Sequence, residues 1–427
     1  MLDLLGLALG SLLGNLLGGQ PSALQPVPLV SWQEAKLFDV PTQPDATVAN
    51  LVESYLQDLA KQGFSKEHQG IWIQSEWAEL ANNREEVPVA AASLTKIATT
   101  IAALEKWGAD HRFVTGIYTT GAIDKGVLQG DLVIEGGGDP LFVWEEGIAL
   151  GNALNELGIR QVKGNLIVTG NFAMNFASKP QVAGEWLKQA VNERLWTPLM
   201  EKQYKTLPGG TKRPQVAISG TVEVQPTLPP KAQLLLRHQS LPLAELLKQM
   251  NIYSNNGMAE MLAESVGGAQ VVAGIAAKFA RISPQEIQLE NGSGLSVNNR
   301  LSPYAVSQML IALERQLANQ PIKITDLFPV AGYDKKGTLK WRNIPDGIAV
   351  KTGTLAQVSA LAGVIPTKER GLVWFTIINQ GGNIDKLRAE QDKFLQGLAQ
   401  HWQITFPVMN SPSNQIFLGD PSRNLKI

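Results

Sequence analysis

The 427-residue chain contains no cysteine. That removes thiol nucleophiles, disulfides, iron–sulfur clusters and cysteine-ligated zinc together. It also suits an oxidising compartment, where a stray thiol is a liability. Histidine is nearly as scarce: His68, His111, His238 and His401 are scattered and form no HExxH pair, which argues against a histidine-rich metal site. Nothing calls for a cofactor. A hydrolase of this composition would use a hydroxyl nucleophile, and its base need not be histidine. Net charge is −1, so there is no sign of a nucleic-acid partner or a polybasic membrane patch.

Long apolar runs are also missing, apart from the start. Residues 1–19, MLDLLGLALGSLLGNLLGG, carry Asp3 as their only charge and lack a basic leader or a clear small-x-small cleavage site. The segment is barely long enough to span a bilayer as a helix. Gly6, Gly10, Gly14 and Gly18 line one helical face. In water each glycine costs about 1 kcal/mol relative to alanine, whereas in a membrane such a face permits close helix contact. The segment reads as an export signal or a membrane anchor, which places the rest outside the cytoplasm, in a periplasmic or similar space.

What is present is ordinary globular composition, 44% hydrophobic and 18% charged, with length for two or three domains. A proline-rich linker covers 20–31. Helical spacing appears near 47–62, and QGIWIQSE (69–76) alternates like a strand. From 114 the pattern turns to short alternating runs bounded by Gly and Pro, with one helix at 147–158. This predicts a mainly β insertion over 114–238. Helical periodicity returns over 242–268 and 302–317. Three strands follow at 347–355, 358–366 and 371–380, and an amphipathic helix at 385–402. Residues 406–427 read as a loose tail. The main domain is therefore discontinuous, 32–113 plus 239–405, and of mixed α/β (α+β) class.

Three short motifs carry chemistry. Ser93-Leu94-Thr95-Lys96 is S-x-x-K at the head of a helix, where positions i and i+3 share a face and the lysine can reach the serine hydroxyl. The helix dipole there favours a developing alkoxide. Lys351-Thr352-Gly353 is K-T-G in a strand that looks buried on both faces, so the lysine needs a reason, such as a carboxylate to bind. Gly353 lets a ligand lie along the strand edge. S-x-N occurs at Ser254, Ser296 and Ser422. Ser296 lies in a Gly/Asn-rich loop where turn chemistry explains it, and Ser422 lies in the tail. Ser254 and Asn256 interrupt two apolar helical runs and are preferred. An overlapping Y-x-N register would put Tyr253 in the catalytic place.

In that order the motifs resemble the active-site serine penicillin-binding proteins and serine β-lactamases. With LQGDLVIEGGGDPLF, YSNNGMAEMLAE, ENGSGLSVNNRLSP and VKTGTLAQVSALAGVI, the chain resembles the D-alanyl-D-alanine carboxypeptidase/endopeptidases, class C low-molecular-mass penicillin-binding proteins of peptidase family S13. It departs from them in a shorter insertion, SNN for SDN, NGSG for DGSG, and Ala356 where some members place a serine. The resemblance implies a transpeptidase-type domain, an antiparallel sheet with helices on both sides plus an all-helical part, interrupted by the insertion. It implies peptidoglycan stem peptides as substrate and β-lactams as covalent inhibitors.

It further implies roles. Lys96 is the base for Ser93, which requires its pKa to fall from 10.4 to about 7, roughly 4 kcal/mol of differential interaction. The N–H groups of Ser93 and Thr354 form the oxyanion hole. Ser254 relays a proton to the leaving nitrogen, Asn256 binds the peptide amide, and Lys351, Thr352, Gly353 and Thr354 receive the terminal carboxylate. Asp139 and Arg342 match positions that line the pocket for the peptide's side-chain amino acid. A β-lactamase or esterase on the same scaffold is the first alternative, with Glu286 and Glu290 lying where a deacylating glutamate would be sought. A non-catalytic cell-wall-binding protein is the second.

Overall fold

Alternation in the last third of the chain, joined by one early hairpin, builds the sheet on which the site rests. The computed structural model describes residues 45–406 and 417–427. The segment 1–19, the linker 20–31 and residues 407–416 of the tail lie outside the described residues.

Helix α1 (Ala46–Lys61) starts at Asp45, whose carboxylate accepts from the Thr47 and Val48 N–H groups. Strands β1 (Gln69–Ser75) and β2 (Glu79–Asn83) form a hairpin. A 3-10 turn over Ala92–Leu94 leads into α2 (Thr95–Trp107). Next come β3 (Val114–Thr119), β4 (Leu132–Gly137), α3 (Trp144–Glu156), β5 (Leu166–Asn171), α4 (Pro180–Ala190), α5 (Pro198–Tyr204), β6 (Val222–Val224) and β7 (Gln233–Gln239). The helices α6 (Leu243–Tyr253), α7 (Asn256–Val266), α8 (Ala269–Ala280) and α9 (Pro303–Leu317) follow. Strands β8 (Ala349–Leu355), β9 (Val358–Thr367) and β10 (Gly371–Gln380), helix α10 (Ile384–Trp402) and strand β11 (Asn424–Lys426) complete the chain.

The main sheet is five-stranded and antiparallel, in the order β8-β9-β10-β1-β2. Its two faces bury different cores. Ile348, Val350, Leu361, Phe375 and Ile377 pack on α1 and α10 through Leu56, Leu59, Phe394, Leu398 and Trp402. Ala349, Ala360, Ala362 and Ile378 face the helical layer, meeting Ile97, Ile101, Leu247, Leu262 and Leu310. Each such fully buried aliphatic side chain contributes about 1.5–3 kcal/mol. Burial on both faces explains why β9 and β10 read as near-continuous apolar runs. The expected fold class is the one found: an antiparallel sheet with helices on both sides and a helical part beside it.

Residues 114–239 carry more helix than their alternating runs indicate. The order of the six-stranded sheet is β6-β5-β4-β3-β7-β11, with β4, β5 and β6 mutually parallel. Parallel neighbours need crossovers, and α3, α4 and α5 provide them. Both α4 and α5 begin with proline at their first position, Pro180 and Pro198. Proline is well placed there because the first N–H has no helical partner, yet in sequence it reads as a break.

The end of the chain departs from the expected loose tail. Asp420 caps a 3-10 turn over Pro421–Arg423, and β11 pairs antiparallel with β7, Leu236 opposite Lys426 and His238 opposite Asn424. The Arg423 guanidinium ion-pairs with Glu146 of α3, and Gly419 N–H donates to Glu146 Oε1 at 3.0 Å. Strand pairing and a buried ion pair hold this segment, and neither shows in its hydropathy. Glu146 is 1% exposed, so Arg423→Ala leaves a buried carboxylate without its cation. A loss of about 3–5 kcal/mol is expected, read as a lower midpoint in urea or thermal unfolding. An unchanged midpoint would mean that the C-terminus is not seated.

Candidate active site

Ser93 sits on the 3-10 turn at the base of α2, and the backbone just before it is strained. Ala92 has φ +50°, a left-handed conformation that side chains rarely adopt. Such residues persist where the surroundings over-determine them. Here the NGSG turn presses on that turn: a Cβ on Gly294, φ +83°, would lie 1.9 Å from the Ala92 carbonyl oxygen. On the other side lies the edge strand β8. A Cβ on Gly353 would lie 3.1 Å from both Ala92 Cβ and the Ser93 nitrogen. The small residues Ala91, Ala92 and Gly353 thus let the sheet edge close on the serine.

Lys96, one turn on, is fully buried. Its Nζ donates to Ser93 Oγ at 2.9 Å, Asn256 Oδ1 at 2.8 Å and the Ser293 carbonyl at 2.7 Å. An ammonium has three N–H donors, and each has an acceptor. Burial pushes this amine down to about 7, with the carboxylate of Glu260 opposing. A neutral amine keeps two N–H groups. Left on Asn256 and Ser293, they turn the lone pair toward Ser93 Oγ.

The second lysine completes the cluster. Lys351 of β8 is 1% exposed and donates to Ser254 Oγ at 2.9 Å and to the Thr352 carbonyl at 2.8 Å. Burial, then the positive charge of Lys96, holds its pKa well below the usual lysine value. Ser254 lies between α6 and α7 at φ +51°, so the chain reverses there and the hydroxyl is held by geometry. Asn255 caps α7 through its side chain, accepting from Met258 N–H at 3.0 Å. Asparagine and aspartate cap equally well, so the middle residue of the SNN triplet has a structural role at the start of α7.

The other sequence candidates fall outside this cluster. Ser296 and Asn298 bond to Glu290 in an exposed loop, and Ser422 lies in the C-terminal turn. Tyr253 is 51% exposed and lines a cavity of about 480 Å³ with Leu141, Trp144, Phe176, Gln203 and Asn255. Asp139 is 4% exposed, its carboxylate bonded to Leu141 N–H and pushed up to about 7 by burial. Arg342 spends its guanidinium on Asp392, at 2.7 Å, and Gln391. Neither bonds to a member of the cluster. Arg342 instead lines a separate cavity of about 280 Å³ with Asp334, Lys335 and Asp346.

Two supporting residues escaped sequence reading. Glu260 accepts from the Gly292 and Ser293 N–H groups at 3.0 and 3.1 Å, and so pins the turn whose carbonyl holds Lys96. It stands one helical turn beyond Asn256, a spacing that could have revealed it. Arg388 of α10 donates to Thr354 Oγ1 at 2.9 Å. Nothing in its sequence surroundings marks it.

A half-buried serine, a buried lysine one turn away and a second lysine on the adjacent sheet edge form a candidate serine hydrolase site. The chain belongs to the D-Ala-D-Ala carboxypeptidase 3 (S13) family, whose profile matches residues 49–198 and 206–401. It is 26% identical over 351 residues to carboxypeptidase DacB of Mycolicibacterium smegmatis, covering 71% of this chain and 74% of that one. It is 33% identical over 189 residues to the D-alanyl-D-alanine carboxypeptidase of Actinomadura sp. (strain R39), covering 40% of this chain and 34% of that one. In fold it is similar to Bd3459, a predatory peptidoglycan endopeptidase from Bdellovibrio bacteriovorus, with TM-score 0.68, 21% identity and coverage of 84% and 98% of the two chains. Penicillin binding protein 4 from Haemophilus influenzae gives TM-score 0.61, 21% identity and coverage of 81% and 98%.

The geometry predicts the titration of Lys96 directly. Its side-chain carbon resonances, followed by NMR in lysine-labelled protein, are expected to shift with a midpoint near 7. Glu260→Gln removes the anion that favours the ammonium form and is expected to lower that midpoint further. A midpoint at the ordinary lysine value would contradict the site.

Proposed function

We propose that this chain is a serine DD-peptidase that cleaves the D-Ala-D-Ala terminus of peptidoglycan stem peptides through an acyl-enzyme on Ser93. The carrying observation is the triple coordination of the buried Lys96 Nζ, which aims a neutral amine at Ser93 Oγ. Lys96 takes the hydroxyl proton as Oγ attacks the carbonyl of the penultimate D-alanine. The oxyanion is received by the N–H groups of Ser93 and Thr354, preorganised donors whose alignment lowers the barrier most. Collapse breaks the peptide bond. The proton taken by Lys96 is relayed through Ser254, which Lys351 holds in place, to the departing D-alanine nitrogen, leaving Lys96 neutral again. Asn256 holds the substrate amide as well as Lys96. Water, deprotonated by the same base, then releases the acyl group and restores Ser93.

We read the Thr352 and Thr354 hydroxyls and the bare edge at Gly353 as the seat of the leaving residue's carboxylate, with Lys351 behind them holding Ser254. The cavity beside Tyr253 and Asn255 gives the rest of the stem peptide a place to lie. D-Ala cross-links present the same bond and fall within this reading. We place the chain outside the cytoplasm, where its polymer substrate lies, with residues 32–113 and 239–405 as the peptidase part and 114–238 as an insertion. Among the described residues no helix is long and apolar enough to cross a membrane.

A β-lactamase of the class A kind would deacylate through a glutamate at the acyl bond. Glu290 is engaged by Ser296 and Asn298, and Glu286 by Ser302, so neither stands at Lys96. β-Lactams are therefore expected to acylate Ser93 and leave slowly. Intact-mass analysis after benzylpenicillin should show one lasting adduct, lost in Ser93→Ala together with D-Ala release. Folded wild-type protein with no adduct would remove the reading, and rapid turnover would favour a β-lactamase. The acylation rate should rise with pH through about 7 and then level, because only the neutral form of Lys96 accepts the proton.

A further inference from the structure

The carboxylate of a C-terminal D-alanine needs a lasting positive charge, and Lys351 is badly placed to supply it. Its Nζ lies beneath the strand, 1% exposed, with donors committed to Ser254 Oγ and the Thr352 carbonyl. The alternation of β8 shows where else to look. Ile348 and Val350 face α1 and α10, in the core on that side of the sheet. Thr352 and Thr354 follow on the same face by the period of two, as the strand runs out of that core. Thr354 is exposed, and there α10 brings Arg388 to it.

Arg388 has no evident structural reason to be there. It lies in the second turn of α10, toward the positive end of the helix, where the dipole gives a cation no support. Its ion-pair partner is Asp385, Nη1 to Oδ1 3.6 Å, with a side chain 95% exposed. Such surface pairs contribute little. The Arg388 side chain is 37% exposed, and Nη2 donates to Thr354 Oγ1 at 2.9 Å. Because Thr354 accepts that bond, its own O–H hydrogen is left to point elsewhere. A guanidinium keeps its charge at every pH the protein meets and presents parallel N–H groups that match a carboxylate.

We propose that Arg388 reads the carboxylate of the leaving residue, gripping it together with the Thr354 hydroxyl at the open end of the β8 edge. The inference rests on the DD-peptidase reading above and adds to it a specificity residue from the last helix. The site would then select leaving groups that bear an α-carboxylate, which both a terminal D-alanine and a D-centre cross-link carry. It would discriminate against amidated ones. The carboxylate common to β-lactams would meet the same guanidinium.

The experiment compares one stem-like peptide ending in D-Ala-D-Ala with its C-terminal amide, using full-length wild-type, Arg388→Gln and Arg388→Lys proteins. Charged hydrogen bonds of this kind imply a loss of about tenfold to a hundredfold in kcat/KM on the free acid for Arg388→Gln. Little change is expected on the amide. Arg388→Lys, which keeps the charge, should recover part of the loss. The thermal midpoint should hold for both variants. An acid-to-amide ratio that stays the same in Arg388→Gln overturns the inference while leaving the DD-peptidase reading intact. Equal losses on both substrates, with no recovery in Arg388→Lys, overturn it too. A folded wild-type protein that cleaves neither peptide and forms no penicillin adduct overturns both.

Discussion

The structure is organised around the burial of two lysines side by side. Lys96 and Lys351 are at most 1% exposed, and an unpaired ammonium in such a place costs several kcal/mol. Everything near them answers that constraint. Asn256 and the Ser293 carbonyl accept from one, Ser254 and the Thr352 carbonyl from the other. Glu260 fixes the turn that carries the Ser293 carbonyl. The left-handed Ala92 and Ser254 bring the two hydroxyls into reach, each at about 1–3 kcal/mol of strain. Stability carries the mark of this arrangement. With its pKa lowered to about 7, Lys96 binds fewer protons in the folded protein than in the unfolded chain between there and the ordinary lysine value. Stability therefore rises with pH across that window and is lowest, as far as this group is concerned, below it.

The sequence made the centre of the site legible and its surroundings less so. Ser93, Lys96, Ser254, Asn256 and Lys351 stood out because they are polar groups set in apolar surroundings at helical or strand spacing, and their order along the chain removed the ambiguity of each. The structure brings these five together. Glu260 and Arg388 act across elements far apart in sequence, Glu260 on a loop about 32 residues away and Arg388 on a strand edge, so only the i, i+4 spacing of Glu260 from Asn256 hinted at the first and no local pattern announced the second. Asp139 and Arg342 show the converse. Their local motifs are distinctive, yet the bonds they make run to Leu141 and to Asp392 and Gln391, not to the lysine cluster.

The same division holds for the fold. The five-stranded sheet and its flanking helices followed from periodicity, because burial on one or both faces writes itself into apolar spacing. The helices α4 and α5 did not, since a helix that opens with proline looks like a turn until its neighbours are known. They lie in the crossovers of a parallel sheet, a long-range arrangement that the short alternating runs of 114–238 do not encode.

The seating of β11 carries a consequence for the sheet edge it covers. The six-stranded sheet ends on residues 424–426, and the Ile427 N–H bonds to the Leu235 carbonyl at 3.1 Å. β11 lies 186 residues beyond the part of β7 that it covers, Asn424 beside His238, so β7 stands as an open sheet edge until that distant segment is seated, the kind of surface on which chains pair with one another. A polypeptide fused directly after Ile427 would have to leave this edge at once, so a tag placed there competes with the final strand for its own sheet.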